Sequence, residues 1–229
     1  MNLTIFDLDN TLLSGDSDYA WGQFLVHKGL VDKDHYSREN ERFYRQYQDK
    51  TLDIHEYQQF VLAPLMDLSV SERDQLHREF METVVETLKL PKALRLIEQH
   101  KSNGDQLLII TATNRFIAGP IGPWLGIDQI LATELETIDG QFTGRISGTP
   151  CFQEGKITRL QQWLQEKWQQ EEWLQEHTLR PEHIRFYSDS INDLPLLEYA
   201  DSAVAVDPDE RLRSYAEHAG WSIISLRQD

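Results

Sequence analysis

Apolar positions along this chain fall into two rhythms: short continuous runs, and longer stretches that repeat at helical spacing. The first run, Leu3-Thr4-Ile5-Phe6-Asp7-Leu8, predicts a buried strand over residues 3–8. From about Asp18 to Leu88 the pattern is helical. Trp21, Phe24 and Leu25 form one stripe, Phe43, Tyr44 and Tyr47 another, and Tyr57, Phe60 and Val61 a third. Breaks at Gly29, at Lys50-Thr51 and from Pro64 to Ser69 divide this block into about four helices. After Pro91 a helix from Ala93 to His100 ends near Gly104, and Gln106-Leu107-Leu108-Ile109-Ile110-Thr111 predicts a second buried strand.

The run from Leu131 to Ile146 alternates and contains Asp139-Gly140, a hairpin signal. A long helix follows Gly155. It continues into a Gln- and Glu-rich tract at 161–176, in which Leu160, Trp163, Leu164 and Trp168 keep helical spacing. Strands are predicted at Ile184 to Ser188, Ser202 to Val206 and Ser222 to Ser225, with a helix from Glu210 to His218 between the last two. Strands alternating with helices imply an α/β fold, a doubly wound, Rossmann-like parallel sheet covered on both faces. The helical block is too long for one crossover. It predicts an inserted helical cap at residues 14–90, on a core of residues 1–13 and 91–229.

Charge narrows the set of partners. With 38 acidic against 22 basic residues the formal net charge is -16, a field that repels nucleic acid and anionic membranes. An anion site must therefore be locally positive, from a metal, a lysine or helix N-termini. No run is long enough to span a bilayer, and no charged segment with an apolar run precedes the first strand. The single Cys151 excludes an internal disulfide framework and reads as a packing residue. A cytoplasmic location is expected.

Chemistry concentrates at predicted strand ends, where open parallel sheets bind ligands. Alternation places Asp7 and Asp9 on one side and Leu8 on the other. Two carboxylates so close repel unless a cation or shared proton compensates. A polar turn after a strand is the alternative reading. Thr111 ends the second strand, and Asp189, Asn192 and Asp193 follow the strand at 184–188. Lys156 falls at a helix start, where a cation opposes the macrodipole unless an anion is bound. Asp193 also fits an N-cap ahead of Pro195.

In these residues the chain resembles the haloacid dehalogenase superfamily of phosphohydrolases. Asp7-Leu8-Asp9-Asn10-Thr11, Thr111, Lys156 and Asp189-Ser190-Ile191-Asn192-Asp193 match its four motifs in order. The helical insert resembles that of the phosphoserine phosphatase-like branch. The sequences around the first two motifs look like a bacterial subgroup, some of whose members are described as histidinol-phosphate phosphatases. Ser190 departs from the glycine usual after the motif-four aspartate in phosphoserine phosphatases.

The resemblance implies a Mg2+-dependent phosphomonoesterase acting through an aspartyl-phosphate. Asp7 is the expected nucleophile, Asp9 the proton donor and then base, and Lys156 the phosphate-neutralising cation. Asp7, the Asp9 carbonyl and Asp189 are the expected metal ligands. Thr11, Thr111, Ala112, Asn114 and Asn192 are expected at the substrate, Thr111 with the backbone N–H groups of Ala112 and Thr113 on the phosphate. Asp193 has an orienting role. Asp16 matches the position at which phosphoserine phosphatases face the substrate amine, which suits a small amine-bearing phosphorylated metabolite. Asp16 or Asp18 capping the helix that begins at Tyr19 is the competing reading. A phosphatase or phosphotransferase for another metabolite, or a non-catalytic binding module, stays open at this point. The sequence specifies no oligomeric state.

Overall fold

The computed structural model describes residues 2–169 and 181–227. Residues 170–176 of the Gln- and Glu-rich tract, with the Trp168 side chain, lie outside the described residues.

The chain opens with β1 (Asn2–Phe6) and enters a block of four helices, α1 (Ser17–His27), α2 (Lys33–Gln48), α3 (Ile54–Leu62) and α4 (Val70–Thr83). Each begins where an oxygen-bearing side chain accepts a backbone N–H: Asp16, Asp32, Asp53 and Ser69, the last in a capping box with Glu72. The chain enters and leaves the block side by side, with Leu13 bridged to Lys89 and Ser14 N–H bonded to the Leu88 carbonyl.

Then follow α5 (Pro91–Ser102), β2 (Gln106–Asn114), α6 (Arg115–Ala118), α7 (Ile121–Leu125) and β3 (Ile130–Thr133). The hairpin of β4 (Leu135–Ile138) and β5 (Gln141–Ile146) precedes α8 (Glu154–Gln169). The chain ends with β6 (His183–Ser188), α9 (Leu194–Tyr199), β7 (Ser202–Val206), α10 (Glu210–Ala219) and β8 (Ser222–Ile224). The main sheet has the order β3-β2-β1-β6-β7-β8, with every pairing parallel.

The run at 131–146 divides. Its first residues join the main sheet as β3, and only the remainder forms the hairpin. There Asp139 (φ 50°) and Gly140 (φ 79°) supply the two positive φ angles a tight turn requires.

Alternation along the strands sorts the core into two layers. Leu3, Ile5, Leu108, Ile110, Ile184 and Phe186 face α8, α9 and α10. Phe6, Ile109, Tyr187, Val204 and Val206 face the other way, into a layer continuous with the insert. Fully buried Trp21 links the two, meeting Phe80 of α4 edge-on (5.0 Å) and Phe116 of α6 edge-on (5.5 Å). Aromatic pairs in this geometry add about 0.5–1.5 kcal/mol each beyond burial. Arg73 of α4 ties the insert to the hairpin: it donates to the Gly140 carbonyl and the Gln141 side chain, with its guanidinium over the Phe142 ring. Among the described residues no helix is long and apolar enough to cross a membrane.

Candidate active site

β1 and β6 are neighbours at the centre of the sheet, and the chain winds outward from them in opposite directions. Such reversals leave a crevice at the carboxyl ends of the strands. Asp7 prolongs β1, its N–H donating to the Tyr187 carbonyl, and Asp189 directly follows β6. Asp7, Asp9, Asp189, Thr111, Ala112 and Thr113 line one cavity, whose opposite wall comes from the insert through Asp16, Asp18, Tyr19, Tyr44, Tyr47 and Tyr57.

Beneath the floor of the cavity, Lys156 stands in the first turn of α8 with a side chain only 3% exposed. Its ammonium lies 2.8 Å from Asp7 Oδ1 and 2.6 and 2.7 Å from the two oxygens of Asp193. Asp193 also accepts from the Ser188 hydroxyl at 2.7 Å. The lysine reaches this depth because α8 begins against the loop before it. A Cβ added at Gly155 would stand 2.1 Å from the Pro150 carbonyl oxygen, closer than any real contact. Gly155→Ala is therefore expected to destabilise the fold by about 1–3 kcal/mol, as overpacking does. Thermal unfolding checks it; an unchanged midpoint would contradict the tight approach.

Asp9 is fixed from both sides. Oδ1 accepts the Ser17 N–H at the start of α1 (2.6 Å), while Oδ2 accepts the Thr113 hydroxyl (2.6 Å) and, more distantly, that of Thr111 (3.5 Å). Thr11 and Asp189 bond reciprocally, hydroxyl to Oδ1 and N–H to hydroxyl, both at 3.1 Å.

The electrostatics are those of crowded acids. Burial pushes the Asp7 carboxyl up to about 7; Lys156 pulls it down, while Asp193 and Asp9 add to the rise. Burial, then Asp7 and Asp193, raise Asp189 well above the carboxylate range, against the Thr11 hydrogen bond. For Lys156 burial disfavours charge, but Asp193 and Asp7 outweigh it and hold the ammonium above its usual range. Asp7 and Asp193 thus share one ammonium with Asp189 crowded against both, and the excess negative charge asks for another cation. Among the described residues no three His, Cys, Asp or Glu side chains gather closely enough to cage an ion alone. Two carboxylates and a carbonyl, completed by water and phosphate oxygens, fit Mg2+, which keeps several waters and seldom sits in an all-protein cage.

Residues 4–198 match a family described as haloacid dehalogenase-like hydrolases. A histidinol-phosphatase of Neisseria meningitidis serogroup C is 46% identical over 227 residues, covering 99% of each chain. This chain belongs to the haloacid dehalogenase-like hydrolase family. A Bordetella pertussis protein of unknown function superposes with a TM-score of 0.88 at 37% identity, covering 98% of both chains. A phosphoserine phosphatase in the form of a phospho-aspartyl intermediate analogue gives a TM-score of 0.65 at 17% identity, covering 99% of this chain and 94% of its own. That likeness shows the shared fold.

The hydrolase's expected site residues separate into those on the cavity and those behind it. Asp7, Asp9, Asp16, Thr111, Ala112 and Asp189 line it. Thr11 does not; its hydroxyl is used by Asp189. Asn114 is fully buried, accepting the Ile117 N–H and donating to Gln58 of α3 (3.1 Å), so it joins core to insert. Asn192 donates to the Tyr47 carbonyl (2.9 Å) and accepts from Gln153, a second such joint. Asp193 precedes α9 but makes no side-chain cap, because its carboxylate is turned to Lys156. An ammonium is a stronger partner than a backbone N–H. The Thr113 N–H, one of the expected pair of donors, is taken by the Thr111 hydroxyl at 3.2 Å.

Asp16 caps α1, accepting the Tyr19 N–H at 2.9 Å. Ser190 accepts hydrogen bonds from the Asn192 N–H (3.2 Å) and the Tyr47 hydroxyl (3.3 Å), uses that a glycine does not offer. Of the insert aromatics, Trp21 and Phe24 are core and Tyr44 lines the cavity. The Thr113 hydroxyl on Asp9 and the cavity walls formed by Asp18, Tyr19 and Tyr57 are parts of the site that the sequence did not reveal. The available signal was tyrosine rather than phenylalanine or leucine at half-buried helix positions, since a hydroxyl removed from water needs a polar neighbour.

Proposed function

We propose that this protein is a magnesium-dependent phosphomonoesterase that acts through an aspartyl-phosphate on a small amine-bearing ester of the histidinol phosphate or phosphoserine type. The observation that carries this reading is the buried Asp7–Lys156–Asp193 arrangement beside Asp9 and Asp189, all at the carboxyl ends of two central parallel strands. The 46% identical relative named histidinol-phosphatase supports the choice of substrate class.

Phosphoryl transfer requires positioning and charge neutralisation more than elaborate covalent chemistry. An Asp7 oxygen forms the bond to phosphorus as the ester P–O bond breaks. Asp9 delivers a proton to the departing alkoxide and later takes one from the water that hydrolyses the acyl phosphate. The hydrogen bonds from Ser17 and Thr113 hold Asp9 in place for both transfers. Lys156 orients Asp7 and offsets phosphate charge; Thr111 and the Ala112 N–H serve the phosphate oxygens. Thr11 and Asp193 are positioning residues, acting through Asp189 and Lys156.

Asp7, Asp189 and the Asp9 carbonyl would hold Mg2+, which when bound supplies neutralisation of the phosphoryl oxygens. Residues 14–90 act as the cap that excludes water and selects the leaving group, with Asp16 on its inner wall.

The test is phosphate release from a panel of small esters, including histidinol phosphate, phosphoserine and p-nitrophenyl phosphate, with Mg2+ and then with excess chelator. Release that falls to background on chelation is expected. Absence of release from every ester, or release indifferent to chelation, would overturn the reading.

A further inference from the structure

One acid on the cavity has no task in that mechanism. Asp18, in the first turn of α1, is only 7% exposed and lines the cavity. Tyr57 and Thr113 interact with its carboxylate. Its Oδ1 nevertheless has no hydrogen-bond partner among the described residues. A dry carboxylate oxygen left unpaired is costly unless a donor or cation reaches it. Burial, reinforced by Asp16 and Asp9, disfavours its charge further, and an arriving cation would reverse that.

The neighbouring acids are not in the same position. Asp16 is engaged by the Tyr19 and Asp18 N–H groups. Both oxygens of Asp9 have donors. Tyr19, Tyr44 and Tyr57 line the same space, and aromatic walls suit a cation.

The sign of the lining is the second observation. Among the described residues on the cavity there is no Lys, Arg or His. Lys156 lies behind Asp7, its charge shared with Asp7 and Asp193. A leaving group bearing a carboxylate would set that anion against Asp16 and Asp18 with no cation to meet it. A desolvated anion left without a cation is how a site rejects a near-analogue.

We infer that Asp18 reads a positively charged nitrogen of the leaving group, so that the cavity selects phosphate esters of carboxylate-free amino alcohols over those of amino acids. The assignment rests on the phosphomonoesterase reading for its substrates, but its binding arm does not. Asp18 is a specificity-determining residue and takes no part in bond breaking.

The experiment compares the full-length wild type with Asp18→Asn on histidinol phosphate, phosphoserine and p-nitrophenyl phosphate, and measures calorimetric binding of histidinol and of histidine, which differ in the carboxylate. For the wild type, kcat/KM on histidinol phosphate is expected to exceed that on phosphoserine by at least about 10-fold, the scale of one mismatched buried charge. In Asp18→Asn the ratio of kcat/KM for histidinol phosphate to that for p-nitrophenyl phosphate should fall about 10- to 100-fold, chiefly through KM. A structural role alone would lower both substrates together and leave that ratio unchanged, which would overturn the inference; so would equal use of phosphoserine and histidinol phosphate.

If no ester is hydrolysed the phosphatase reading fails, and binding decides the inference. Tighter binding of histidinol than of histidine supports it, and equal binding overturns it. That comparison uses the wild type, so a variant that fails to fold does not remove the test.

Discussion

Asp7→Asn is expected to abolish phosphate release while leaving the protein as stable as the wild type or more so. The activity loss follows from the geometry. Asp7 is the carboxylate at the end of the central strand, held by Lys156 at 2.8 Å and open to the cavity. An amide in its place is a poor nucleophile and cannot carry the acyl phosphate. Loss of a nucleophile costs about 10^4-fold or more in kcat where the remaining machinery works as a unit.

Burial and the neighbouring acids already disfavour the Asp7 charge, raising its carboxyl to about 7. Removing that charge relieves repulsion with Asp9 and Asp189, and Lys156 keeps Asp193 at 2.6 Å. Active sites commonly hold such destabilising arrangements, and their removal raises stability. A melting temperature several degrees below the wild type would contradict this account of the charges.

Lys156→Met should have the opposite signature, with both stability and activity falling. It removes the one ammonium between Asp7 and Asp193 and leaves two buried carboxylates facing each other. Breaking a buried ion pair from one side costs about 3–5 kcal/mol, because the surviving charges lose their partner. For a chain of this size that corresponds to a fall of roughly 6–20 °C in melting temperature. Adding Asp193→Asn should recover part of the loss, since the two side chains are in direct contact and their substitutions couple. A Lys156→Met melting temperature within about 2 °C of the wild type, the scale of an ordinary surface substitution, would show that the ion pair does not hold the site together.

The sheet and its acids were legible in the sequence for a simple reason. Continuous apolar runs such as Leu107 to Ile110 have little choice but a covered parallel strand. Polar residues placed directly after such runs, as Asp7 and Asp189 are, fall at the ligand-binding edge by topology alone. The insert was legible as helices, because Asp32, Asp53 and Ser69 announce their starts.

Which face of each insert helix meets the cavity was not legible. Trp21 and Tyr44 occupy similar positions in apolar stripes, yet one packs against Phe80 and Phe116 and the other lines the site. Periodicity identifies an apolar face without saying what covers it. Polar residues beside the motifs misled in another way. Thr11, Asn114 and Asn192 look available in a linear sequence, but buried polar groups must be satisfied, and here the fold satisfies them before any ligand arrives. Asp18 is the reverse case: its spacing suggested a cap, but Asp16 does the capping, and the buried Asp18 Oδ1 remains unpaired among the described residues.

The most direct test of the central claim is mass spectrometry of the peptide containing residue 7 after rapid acid quench of the enzyme turning over histidinol phosphate with Mg2+. A phosphoryl group on Asp7, absent in Asp7→Asn and absent without Mg2+, is the expected result. Phosphate release with the phosphoryl group on another residue, or at an undiminished rate in Asp7→Asn, would contradict the account.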